Sequence, residues 1–146
     1  MHLQLAAEYE VHFKYDKAIV EYRKIIAEST GLSEIEIGRC YASLGRALGC
    51  LKQYDEALNV LQKGTEIVPS CGDCYFFAAE ITYNQGKFKQ TFELCDEGIK
   101  HCGENQWCTI ITKDSHFPYL LMALSSFYMG NKILGLGYIT IAKERN

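Results

Sequence analysis

Between Gly38 and Cys71, large and small apolar residues recur at helical spacing: Tyr41, Leu44, Gly45 and Leu48, then a turn near Lys52, then Tyr54, Ala57, Leu61 and Gly64. Recurrence at three and four residues predicts two short helices joined by that turn. Gly45 and Ala57 are small where the helices must approach closely, and Tyr41, Leu44, Leu48 and Leu61 fill the space between them. Pro69 stops the second helix. The pattern returns after 34 residues, with Tyr41 falling on Tyr75, Leu44 on Ala78, Gly45 on Ala79, Tyr54 on Phe88, Leu61 on Cys95 and Gly64 on Gly98. Upstream, Tyr15, Ala18, Tyr22 and Ile25 answer Tyr54, Ala57, Leu61 and Gly64 at a spacing of 39. Downstream, Tyr119, Met122, Ala123, Gly130, Gly135, Ile139 and Ala142 answer Tyr75, Ala78, Ala79, Gly86, Thr91, Cys95 and Gly98 at a spacing of 44.

Four helical hairpins therefore account for the chain, at about 1–30, 38–71, 72–103 and 116–146, with a loop over 104–115. The order aromatic, large, small, large, small, large, small, Pro from Tyr41 to Pro69 resembles the tetratricopeptide repeat (TPR). That resemblance implies an all-α fold, a right-handed α-solenoid of about four TPR-like hairpins in a single repeat domain. No period-two alternation flanked by hairpin turns competes with it. Ser33 with Glu36 three residues later forms a capping box that opens the second repeat. The loop carries Trp107, Cys108, Ile110 and Ile111, too apolar for a free linker, and is expected to fold back on a helical surface.

Composition narrows the function. With 146 residues, 48% of them apolar, and a net charge of −3, the chain reads as an ordinary soluble domain. Basic residues are spread among acidic ones with no Lys/Arg stripe, which argues against a nucleic-acid partner. Phe117 to Met129, the longest apolar stretch, is about thirteen residues against the roughly twenty a spanning helix needs, so no membrane partner is expected. No secretory or transit signal is written near the N-terminus, which makes the cytoplasm the expected compartment. Seven cysteines are an odd number in a fold that buries a core without staples, and reduced thiols are expected.

The sharpest chemical motif is Cys71-Gly-Asp-Cys74, a C-x-x-C at a predicted helix start, where a thiolate is stabilised. Dithiol chemistry of the thioredoxin kind needs a preceding strand, whereas this motif sits at the joint of two helical repeats. Cys71, Cys74, Cys102 and Cys108 could together hold zinc, but the second pair is spaced more loosely than most structural sites. Small core residues are the favoured reading of these thiols. His2, His12, His101 and His116 lie in four segments without ligand spacing, and no G-x-S-x-G, G-K-S/T or D-x-D occurs. No cofactor, metal or catalytic residue is assigned, and the chain alone is not expected to be an enzyme.

TPR arrays line a concave groove with the first helix of each repeat, and the resemblance implies a non-catalytic scaffold that binds a protein or peptide there. Register places Arg39 and Arg46 in the groove from the second repeat, with Ala42, Gly49 and Cys50. The third repeat contributes Phe76, Glu80, Tyr83 and Asn84 with Asp73, and the fourth contributes Leu124, Phe127 and Tyr128 with Phe117 and Leu120. Arg39 and Arg46, two turns apart, would engage an acidic internal segment, with affinity lost on Arg46→Ala. The carboxylate clamp of chaperone-binding TPR proteins is missing, because Leu3, Ala7, Ser43, Asp73 and Phe77 stand at its positions. The openings His2-Leu-Gln-Leu-Ala-Ala-Glu-Tyr and Tyr15-Asp-Lys-Ala-Ile-Val-Glu-Tyr also resemble the TPR tails of some bacterial family-2 glycosyltransferases, which implies a parent enzyme whose catalytic part lies elsewhere.

The last hairpin is the most apolar, with Leu120, Leu121, Leu124, Phe127, Leu134, Leu136 and Ile139. Solenoids need a polar cap over their final face. Self-association through the fourth repeat, or a continuation covering it, is therefore expected.

Overall fold

The computed structural model describes residues 2–28, 30–102 and 116–145, and it is an all-α solenoid of four antiparallel helical hairpins. The first hairpin is α1 (His2–Val11) with α2 (Tyr15–Ala27), and the second is α3 (Glu34–Cys50) with α4 (Tyr54–Ile67). The third is α5 (Gly72–Asn84) with α6 (Phe88–His101), and the fourth is α7 (His116–Tyr128) with α8 (Lys132–Glu144). The insert expected over 104–115, with Trp107 and Cys108, lies outside the described residues.

One turn is used four times. Each hairpin turns over three residues, and the middle one is left-handed: Phe13 (φ 58°), Lys52 (φ 60°), Gly86 (φ 76°) and Gly130 (φ 82°). The following N–H then reaches back five residues, Lys14 to the Tyr9 carbonyl at 2.8 Å, Gln53 to Leu48 at 3.0 Å, Lys87 to Thr82 at 2.9 Å and Asn131 to Ser126 at 2.8 Å. This is the Schellman arrangement, which satisfies carbonyls that a helix end would otherwise leave without donors. Two turns use glycine, which adopts this conformation without strain, and two hold it with a side chain.

Within each hairpin, small residues let the helices close. Ala18, Ala57 and Thr91 are fully buried at equivalent crossings, with Gly135 as their counterpart in the fourth hairpin. A Cβ on Gly45 would fall 2.3 Å from Leu61 Cγ, and one on Gly98 would fall 2.6 Å from the Phe76 ring and 2.8 Å from Tyr75 Cβ. Between hairpins the core runs on without a break in kind. One cluster centres on Tyr22, Tyr41, Leu44, Leu48, Leu61, Phe77 and Ile81, and a second joins Ala79 and Cys95 to Leu121 and Met122. On the outer surface Arg23 of α2 pairs with Glu56 of α4. The capping box forms as read, with Glu36 N donating to Ser33 Oγ at 3.2 Å and Ser33 N donating to Glu36 Oε2 at 2.8 Å. The Ser33 N–H and the Ser33 hydroxyl, which donates to the same Oε2 at 3.0 Å, hold the Glu36 carboxyl below its ordinary value.

Two substitutions separate turn strain from close approach. Gly86→Ala meets nothing within 4 Å yet places a Cβ on a left-handed backbone, and should cost about 1 kcal/mol in urea unfolding. Gly98→Ala carries no such strain but overlaps Phe76 and Tyr75, and should cost about 2 kcal/mol by overpacking.

Candidate functional site

α3 packs beside α5 and α5 beside α7, and side chains of α1, α3 and α5 line two cavities. The first, of about 240 Å³, is lined by Leu3, Ala7 and Glu10 of α1, Tyr22 of α2, Arg39, Ala42 and Ser43 of α3 and Asp73 of α5. The second, of about 170 Å³, is lined by Arg46, Gly49, Cys50, Tyr54, Phe77, Glu80, Ile81 and Asn84. Arg39 therefore lines the first cavity, and Arg46, Glu80 and Asn84 line the second.

Polar groups in the first cavity are linked. Tyr22 donates to Glu10 Oε2 at 3.0 Å, and Glu10 Oε1 lies 3.6 Å from Arg46 Nη1. The Arg46 guanidinium also sits over the Phe77 ring, 5.7 Å from its centroid. Burial, with Glu10 beside it, pushes the Tyr22 phenol up, and the Ser43 hydroxyl bonded to the same oxygen opposes that shift. Arg39 and Arg46 are thus not a bare basic pair, because one of them is already countered by Glu10. Glu10 and Tyr22 escaped the register argument. The register-derived groove set draws on the second, third and fourth repeats, and Tyr22 belongs to a second helix.

The aromatic residues divide. Phe76 is fully buried, with its ring against Gly98 and Gly72, and presents nothing to a groove. Phe127 is half-buried, and its ring fills the space beside Gly135. Leu124 is half-buried on α7. Tyr128 is exposed and stacks on Phe88 at 4.4 Å with the rings 5° apart, and Tyr83 meets Phe88 edge-on at 5.6 Å. Tyr83 and Tyr128 thus form, with Phe88, a cluster near the turns of the last two hairpins, apart from the polar cavities. Register ranks positions by helix face, and the partner each ring finds across the hairpin lies outside its reach.

Cys71 and Cys74 are both buried, with Cys74 Sγ 3.7 Å from Cys71 Sγ and 4.0 Å from the Gly38 carbonyl. A thiol that attacks a disulfide must be reached by it, and these are sealed beneath the joint of the second and third hairpins. Cys102 is buried against Gly72, Cys108 lies outside the described residues, and no group of potential metal ligands forms among the described ones. No helix among the described residues is long and apolar enough to cross a membrane.

No protein-family model matches the sequence, and no curated protein does. Solved structures share its fold. A crystal structure of MamA superposes with a TM-score of 0.78 at 17% identity, covering 99% of this chain and 70% of that one. A second MamA structure gives 0.78 at 18% over 99% and 75%, and MamA MSR-1 gives 0.70 at 19% over 99% and 74%. At such identities the likeness establishes the helical-repeat fold and leaves the ligand open. It lends nothing to the glycosyltransferase-tail resemblance.

The thiols supply a test. Burial pushes Cys40 up to about 11 and Cys95 up to about 12, whereas Cys50 is exposed. In a native thiol titration at neutral pH, Cys50 should be modified before Cys40 and Cys95, which should need unfolding. In the unfolded chain these thiols ionise near pH 8.5. The stability they contribute is complete below that pH and is lost as pH rises towards their folded values. Urea unfolding should therefore give a lower free energy at about pH 10 than at about pH 7, with the loss reduced in Cys95→Ala relative to its own neutral value.

Proposed function

We propose that this chain is a non-catalytic scaffold module that binds a protein or peptide along the concave face. The observation that supports it most is the convergence of Glu10, Arg39, Arg46, Asp73 and Glu80 from three successive first helices onto two cavities. A row of spaced, oppositely charged side chains suits an extended segment better than a single reacting atom. Interspersed acids disfavour nucleic acid. Insulin reduction by dithiothreitol tests the rival thiol reading, and turnover lost in Cys71→Ser would overturn the module. The tail of a family-2 glycosyltransferase remains a reading of the sequence alone, and the full open reading frame tests it.

Two binding outcomes follow for the groove. An acidic C-terminal chaperone tail should show no saturable binding in titration calorimetry, since buried Asp73 and apolar Leu3 stand where cations are needed. Peptides selected from a random library should lose about tenfold in affinity on Arg39→Ala, the worth of one charge-assisted hydrogen bond, with an unchanged melting temperature.

The fourth hairpin supports a second contact, self-association. Leu58 on α4 and Phe92 on α6 pack into the cluster beneath the next hairpin, and their counterpart on α8, Leu136, is 59% exposed. Ile133 beside it is 86% exposed. The chain should sediment above monomer mass at micromolar concentration, and Leu136→Glu with Ile133→Lys should return it to monomer. A wild-type monomer that binds no hydrophobic dye would show that this face needs no partner.

A further inference from the structure

The concave face holds an acceptor that the fold leaves unused. Glu10 projects from α1 towards the first cavity, its Oε2 taken by the Tyr22 hydroxyl. Its Oε1 is sealed from solvent and accepts no hydrogen bond. Arg46 Nη1, at 3.6 Å, is in range for an ion pair but too far for a hydrogen bond, and its guanidinium leans on Phe77 instead. A buried carboxylate oxygen without a donor is a costly arrangement that a ligand can relieve. The two partners also differ in freedom. The Glu10 side chain is 14% exposed and anchored by Tyr22, whereas that of Arg46 is 43% exposed and can swing outward.

From this we infer that Glu10 anchors a cationic residue of the bound peptide, a lysine or arginine side chain, and that Arg46 is the internal substitute which that cation displaces. The inference rests on the groove reading and adds to it the charge of the ligand. Leu3, Ala7 and Ala42 line the same cavity and supply an apolar wall for the methylene stem. In this lining Glu10 offers the carboxylate oxygen that accepts no hydrogen bond, and the one arginine there, Arg39, is exposed. Once Arg46 moves out, the Glu10 carboxylate favours a positive head group. The sign is opposite to that expected from Arg39 and Arg46 read as a pair of groove cations.

The test uses the full chain, isotope-labelled, with Nα-acetyl-arginine amide as probe and its neutral analogue Nα-acetyl-citrulline amide as control. The arginine compound should saturably shift the amide resonances of Leu3, Ala7 and Ala42, and citrulline should bind about tenfold more weakly. Glu10→Gln, which keeps the shape and the Tyr22 bond, should abolish the difference while the melting temperature holds. Arg46→Ala should tighten arginine binding about threefold or more by vacating Glu10. Equal binding of the two compounds, or weaker arginine binding in Arg46→Ala, would overturn the anchor. If library peptides bind the concave face without a basic residue and bind Glu10→Gln equally, the groove stands and the anchor fails. If neither probe nor library peptide binds, both fail.

Discussion

The close approach of two helices within a hairpin is the constraint on which the rest of this molecule depends. A helix pair whose axes come near can interlock its ridges only where one side yields a side chain, and here Gly45 yields to Leu61 and Gly98 to Phe76. The recurrent left-handed turn makes this possible, because it ends one helix and starts the next within three residues and leaves the second helix no choice of direction. Stacking follows. Each closed hairpin offers an apolar flank, and the next hairpin covers it, so the core lengthens with each repeat without thickening.

That economy has a visible polar counterpart. In the third hairpin the crossing is filled by Thr82 and Thr91, whose buried hydroxyls lie 2.8 Å apart, so that one donates to the other and the acceptor donates in turn to the carbonyl one turn back from it, that of Ala79 or Lys87. In the fourth, buried Ser126 donates to the Met122 carbonyl at 2.7 Å. Hydroxyls can occupy positions held by Leu48 and Ala57 in the second hairpin because a backbone acceptor lies within reach of each.

The two ends of the array differ. On α1 exposed Gln4 and Glu8 stand among exposed Leu5 and Val11, whereas on α8 Ile133, Leu134 and Leu136 are exposed together. The lining of the two cavities differs again, since Glu10 and Arg46 lie there as a mixed pair. Glu10, held by Tyr22 and shadowed by Arg46, shows why such a face is hard to label by charge count. The exposed member of a pair is the one a register argument notices, and the buried member is the one whose position is defined.

The sequence by itself determined the period, the number of hairpins, their turns and the capping box at Ser33, because each rests on contacts between residues close in the chain. Spacings of three and four residues, a Pro after α4 and glycine at two of the turns state those contacts directly. Candidate groove residues were legible only as a set of register positions. Tertiary structure decided which of these meet solvent: Phe76 went to the core because Gly98 leaves room for its ring, Phe127 turned onto Gly135, and Tyr128 found Phe88 from the neighbouring hairpin. It also brought Glu10, Tyr22 and Arg46 together from three helices. Side-chain burial and ion pairing depend on distances between repeats, and no periodicity within a repeat encodes them.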